Sequence, residues 1–391
     1  MMEFYFLNIS FIILTAYIIL KKEYKLPTFL FYWGIIIIYL APSHYIFWGG
    51  ESYKHFGTES SELFYLLGAL YTLVLLMFFI LLNSNIKTSL LMKSPESISA
   101  LKATNIIFLS CLFIYLFYIL LYWNSWPLIN AIVGKIIQRP DIVKGDFKFY
   151  FTVTTFSNII FPFCFFSYIS REKKKTTITI FLFLICILSL SLGGNKGLFL
   201  YFIVFCMFFA NEIKIKIRYI ILAPLLGLIF YSLMKGVTPS IDNIYNYLLE
   251  SIIRRIFITQ GMSGPNAIQL YLDGMDFYNL SSQQIKELIF QYVYGYSPGS
   301  MPVPYFVEFY LKFGLFIAIT LTLIIFSIIS LFFLFFRNCS TSYKWLVFYT
   351  SYIIVMSGFS PDNYLRFFAI IIFISIHNML MALLPLKNKS H

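Results

Sequence analysis

The sequence predicts an all-α, polytopic membrane protein. Three observations carry that expectation. Of 391 residues, 60% are hydrophobic and only 12% charged, whereas soluble domains run at roughly 45–50% apolar and about 25% charged. Apolar runs of bilayer length recur along the whole chain. Basic residues collect in alternate connections between those runs. One soluble core cannot hide this much apolar surface, so a water-soluble globule, a disordered chain and a secreted disulfide scaffold are all excluded.

A helix crosses the hydrocarbon core with about 20 residues, range about 17–25. Runs of this kind fall at Phe4–Leu20, Pro27–Phe47, Glu62–Leu82, Ile106–Trp123, Phe151–Ser170 and Thr177–Leu192. They continue at Gly197–Ala210, Tyr219–Met234, Leu311–Phe336, Leu346–Phe359 and Phe367–Leu384. The expectation is therefore about 11 transmembrane helices in a single integral membrane domain over 1–391. The sixth, seventh and tenth runs are short. The first lacks a basic leader and a small-residue cleavage site, so it reads as a retained span.

The net charge is +12, and its placement fixes an orientation. One alternating set of connections holds 17 basic residues against Glu23, Glu96, Glu172 and Glu212. The other set holds 12 basic and 13 acidic residues. The positive-inside rule puts the first set in the cytoplasm, which leaves the N-terminus outside. The excess charge is then a matter of topology and implies no nucleic-acid partner.

Two outer connections are large, at 124–150 and 235–310. A structureless loop as long as the second is uncommon, so it is expected to fold. Within it, Tyr245, Leu248, Leu249, Ile252 and Ile256 share one helical face, the pattern of an amphipathic helix over the membrane surface or a cavity. Ser297–Pro304, with Gly299 and three prolines, reads as a turn-rich approach to the ninth span.

Candidate chemistry lies among the outer charges. Lys196 sits in the tight turn Gly193-Gly194-Asn195-Lys196-Gly197, either as a lysine reaching back to the interface or as a contact to an anionic headgroup. Arg254 and Arg255 sit on the amphipathic segment, where they either bind headgroups or present planar forks to a diphosphate. Arg139 and Arg366 are further outer cations. Glu308 begins the ninth span within an apolar stretch. A carboxylate there is costly unless paired or used: it either pairs with Lys312 at i+4 or acts as a base. His377 beside Asn378 in the last span reads as a hydrogen-bonded packing histidine, with a buried catalytic histidine as the alternative. Asp273-Gly-Met-Asp276 is either a turn or a weak acidic site. The five cysteines form no CxxC and no Cys/His cluster, so neither a zinc site nor structural disulfides are expected. Walker, HExxH and GxSxG motifs are absent.

The many spans, the one dominant outer loop and three short elements resemble the Wzy oligosaccharide repeat-unit polymerases of bacterial O-antigen and capsule assembly. Those elements are Gly193-Gly194-Asn195-Lys196-Gly197, Arg254-Arg255-Ile256-Phe257 with Gly261, and Pro304…Glu308-Phe-Tyr310…Phe313-Gly314. Many members of that family carry arginine where this chain has Lys196. The resemblance implies a GT-C-like glycosyltransferase in the bacterial inner (plasma) membrane, with its active site facing the periplasm. It would join undecaprenyl-diphosphate-linked oligosaccharides, the donor and acceptor, without a metal or other cofactor. Membrane lipids, a flippase and a chain-length regulator are the implied partners. Lys196, Arg254, Arg255, Arg139 and Arg366 would stabilise the leaving diphosphate. Glu308 would be the base, with Asp276 and His55 behind it, and Trp126 and outer tyrosines would stack on sugars. An O-antigen ligase is the near alternative; ligases usually carry a histidine in the large outer loop, and 235–310 has none. A lipid-linked oligosaccharide flippase or transporter is a further one.

Overall fold

The computed structural model describes residues 1–21, 26–51, 53–83, 98–126, 129–130, 148–171, 176–192, 196–208, 261–296, 299–336, 339–357 and 361–384. Every regular element among them is helical. Seven segments are long and apolar enough to cross a membrane: Met2–Lys21, Leu30–Phe47, Thr58–Leu82, Ala100–Leu121, Tyr150–Ile169, Tyr305–Phe332 and Leu365–Leu383. This is the pattern of a multi-pass membrane protein, and each segment overlaps a span expected from the sequence. The sixth, seventh and tenth runs form helices of 16, 13 and 17 residues, at or below the lower limit for spanning. The eighth run lies outside the described residues, so seven candidate spans are shown among the described residues and the count of eleven is not.

The outward surface agrees with a lipid setting. Only 22% of the span window is buried in Ala100–Leu121, and the same share in Tyr305–Phe332. Leu109, Phe113, Phe117, Phe316 and Ile328 all stand exposed. Exposed apolar surface of this extent on membrane-length helices fits a lipid setting.

The chain divides into two compact units. The first comprises Met1–Leu90, Tyr247–Phe335 and Thr350–Asn363. Its described helices are α1 (Met2–Lys21), α2 (Leu26–Ile35), α3 (Ala41–Phe47), α4 (Thr58–Asn83), α9 (Ser263–Leu272), α10 (Ser282–Tyr294) and all but the last residue of α11 (Tyr305–Phe336). The second comprises Leu91–Asn246, Phe336–Tyr349 and Tyr364–His391. It holds α5 (Ile98–Leu121), α6 (Tyr150–Ile169), α7 (Thr176–Ser191), α8 (Lys196–Phe208) and most of α13 (Pro361–Leu383). α12 (Thr341–Ser357) is divided between them at Tyr349.

In the first unit α1 and α4 run parallel. The Met1 ammonium meets Glu62 Oε1 at 2.6 Å, near the start of α4, and Tyr17 Oη reaches the Phe79 carbonyl at 3.4 Å near its end. The chain returns between them through α2, a π-helical turn at Ile36–Leu40, and α3. Pro42 explains the π-turn. It lacks an N–H, and its ring would press on the carbonyl four residues earlier. Widening the helix relieves that contact, and the Ala41 N–H bonds back to the Ile36 carbonyl five residues away. The core of this unit is aromatic. Tyr39 stacks on Phe64 at 5.2 Å, and Tyr305 donates to the Tyr71 hydroxyl at 2.8 Å.

α11 begins at Tyr305, six residues before the expected ninth span. Pro304 presets the backbone for a first helical turn, so Tyr305–Tyr310 joins the helix. Gly314, at φ 79° and ψ 173°, breaks the helical path. Only glycine adopts such backbone without strain. The kink separates Glu308 and Lys312 from the long apolar shaft.

The second unit packs Phe163, Phe165, Phe166, Phe202, Phe205 and Trp345 into one core. Phe166 and Phe205 rings lie 4.7 Å apart, and Phe205 meets Trp345 at 5.4 Å. All five cysteines are free thiols.

Candidate functional site

One end of the first unit carries Met1, the described loop residues 48–51 and 53–57, and a cap made of α9 and α10. The sequence assigns all of these to the outer side. α10 forms because Ser281 caps it. Its side chain accepts from the Gln284 N–H while the Gln284 side chain accepts from the Ser281 N–H, a reciprocal capping box. Gly295 ends the helix in the left-handed conformation at φ 74°. Ile285, Ile289 and Val293 form its buried stripe. α9 presses close against α4, since a Cβ at Gly264 would lie 2.4 Å from the Phe64 ring.

Two amides on α9 hold the loop. Asn266 Oδ1 accepts from the His55 N–H at 3.2 Å, and its Nδ2 donates to the Tyr53 carbonyl at 3.2 Å. Gln269 Oε1 accepts from the Gly57 N–H at 2.8 Å and from the Ser60 hydroxyl at 2.7 Å. From α10, Tyr292 donates to the His55 carbonyl at 2.6 Å. Loop and cap are thus bonded backbone to side chain along 53–57, with Ser60 of α4 adding a side-chain bond to Gln269. Partial burial, with Asp273 nearby, pushes the Tyr292 phenol above its ordinary pKa, so it stays a donor at neutral pH. The His55 side chain remains exposed, edge-on to Tyr292 at 5.8 Å.

Glu308 lies at the foot of this cap and is 1% exposed. Its Oε1 accepts from the Ser282 hydroxyl on α10 and meets Lys312 Nζ at 3.3 Å. Its Oε2 is buried with no hydrogen-bond partner among the described residues. The i,i+4 pair expected from the sequence therefore forms. Ser282, 26 residues earlier, is a partner that no spacing rule would find. The arrangement fixes the carboxylate through one oxygen and leaves the lone pairs of the other unused.

The remaining candidates are distributed differently. Arg254, Arg255 and Arg139, and the amphipathic segment Tyr245–Ile258, lie outside the described residues. Lys196 opens α8, but its side chain is not among those described. Arg366 stands half-buried on α13 in the second unit. Asp276 closes a turn, its Oδ1 accepting from the Tyr278 N–H at 2.8 Å. With Gly274 at φ 94°, this makes 273–276 a turn. Trp126 corrects an expectation. It is fully buried against Tyr115, Tyr118 and Tyr150, because a large apolar ring beside three tyrosines gains more from packing than from water. Its indole is core and does not serve as a sugar platform.

His377 proves to be a packed histidine, with both ring nitrogens hydrogen-bonded. Thr104 already donates to the Ala100 carbonyl at 2.8 Å, so it accepts from His377 Nε2–H at 3.1 Å. Nδ1 is then an acceptor, and the Tyr343 hydroxyl donates to it at 3.1 Å. The chain of bonds ends on a backbone carbonyl. Among the described residues no cluster of three or more His, Cys, Asp or Glu could hold a metal.

In comparisons with protein families, curated proteins and solved structures, nothing matches this chain.

Proposed function

We propose that this protein is a membrane glycosyltransferase of the polysaccharide-polymerase type. It joins undecaprenyl-diphosphate-linked oligosaccharide units into surface polysaccharide on the outer face of the plasma membrane. The observation that carries this reading is the folded cap at one end of a multi-span unit with a buried, half-engaged carboxylate at its foot. In this reading Glu308 Oε2 takes the proton of the acceptor hydroxyl, while Ser282 and Lys312 hold the carboxylate in place. Arg254, Arg255, Lys196, Arg139 and Arg366 supply fixed positive charge to the departing lipid diphosphate. No metal takes part in this scheme, and a flippase and a chain-length regulator act beside the enzyme.

Deleting the gene and running the surface polysaccharide on a gel tests the reading. A ladder collapsing to single-repeat material supports polymerisation. Loss of every repeat from its acceptor overturns it in favour of a ligase or flippase. Arg255→Ala and Glu308→Gln, at normal membrane levels, test the residues; full-length polymer in both removes those assignments. The outer orientation is tested by labelling a cysteine placed at Met275, an exposed position; failure to react from outside reverses it.

A ligase is the second reading, and His55 favours it. The long outer loop has no histidine, but the cap bonds the backbone of His55 from a different connection and leaves its imidazole exposed.

A further inference from the structure

A groove of about 550 Å³ runs along the π-turn, α3 and the glycines that follow it, within the ~300–1,000 Å³ typical of small-ligand sites. Its walls are Ile36, Leu40, Ala41, His44, Tyr45 and Trp48, and Gly49 and Gly50 close its mouth. Ile36, Leu40, His44 and Trp48 are spaced by four, so they form one stripe. At 1.5 Å per residue that stripe is roughly 18 Å long. From the end of a span it reaches about the midplane of a hydrocarbon core roughly 30 Å thick.

The stripe changes character along its length. Ile36, Leu40 and Ala41 make the deep end wholly apolar. His44, Tyr45 and Trp48 make the mouth polar and aromatic, and Trp48 is 78% exposed. The walls are set in advance. Asn8 Nδ2 donates to the Phe4 carbonyl, so its Oδ1 accepts from His44 Nε2–H at 2.7 Å; the neutral ring then keeps Nδ1 as an acceptor. The Tyr45 ring lies flat on Gly50, where a Cβ would meet it at 2.3 Å.

We propose that this groove seats one membrane lipid bearing an uncharged sugar headgroup. A single chain one leaflet deep fits the apolar stretch. A sugar hydroxyl can donate to His44 Nδ1, and the C–H face of the ring can lie on the Trp48 indole. The charge pattern selects against a phosphate headgroup: among the described residues lining the groove there is no lysine or arginine, and the exposed Glu51 follows Gly50 directly. The site is independent of the Glu308 chemistry.

The test uses the purified full chain in nanodiscs doped with a galactosyl diacylglycerol carrying a photoreactive tail. A phosphatidylglycerol with the same tail is the comparison. The galactolipid is expected to label the peptide spanning 36–50 several-fold more than the phospholipid does. Ala41→Phe, which fills the deep end, should abolish that labelling. Trp48→Ala, at an exposed position, should remove the preference between the two probes. Equal labelling by both probes in the unaltered chain overturns the headgroup assignment. Labelling that spares 36–50, or that survives both substitutions unchanged, overturns the groove.

Discussion

Two buried polar centres, one in each unit, are built in opposite ways. In the second unit His377 spends both ring nitrogens on Tyr343 and Thr104, and the chain of donors ends at Ala100. In the first unit Glu308 spends one oxygen on Ser282 and Lys312 and keeps the other without a partner among the described residues. A buried polar group with every valence engaged holds structure and has nothing left with which to react. A carboxylate held by one oxygen can still accept a proton or a hydroxyl at the other. The difference separates a packing histidine from a candidate base more sharply than residue type does.

The comparison is easiest to break at Glu308. Glu308→Ala removes the acceptor that Lys312 and Ser282 share in a buried site, and about 3 kcal/mol of stability should be lost. Glu308→Gln keeps an acceptor oxygen for Ser282 but cannot take a proton. It should melt closer to the unaltered protein in detergent while still abolishing polymer. Equal polymer length in cells carrying Glu308→Gln and in unaltered cells would make the centre structural, like that of His377.

His377→Ala should cost about 2 kcal/mol, since the Tyr343 hydroxyl loses its acceptor and Thr104 a donor. Activity per folded molecule should not change. Lost activity at normal abundance would erase the contrast between the two centres.

Asn266→Ala should cost about 1–2 kcal/mol by freeing the 53–55 backbone from α9. Hydrogen exchange would read it as faster exchange at His55, with the second unit unaffected. Ser281→Ala removes half of the capping box and should cost about 1 kcal/mol, seen as fraying of α10 and looser docking of Ser282 on Glu308.

Much of this is legible along the chain. The seven membrane-length helices follow from apolar runs, because hydrocarbon demands helices with internally bonded backbone. The Glu308–Lys312 pair follows from helical spacing, and the 273–276 turn from its glycine and aspartates. The Ser282–Glu308 contact does not follow, because a serine at a helix start is ordinary and its partner lies on another helix. Trp126 departs from its expected role because its position in an outer connection suggests exposure, while three tyrosines from other segments close over it.

The sequence by itself determined a helical, multi-pass chain and the positions of its seven membrane-length helices, since periodicity and hydropathy are local properties; it did not place α9 and α10. Only the tertiary structure decided which polar groups meet. It brought Asn266 to the His55 backbone across 211 residues, and it decided which oxygen of Glu308 is used and which is left. Those outcomes depend on desolvation and on directional hydrogen bonds between distant segments, which no local pattern encodes.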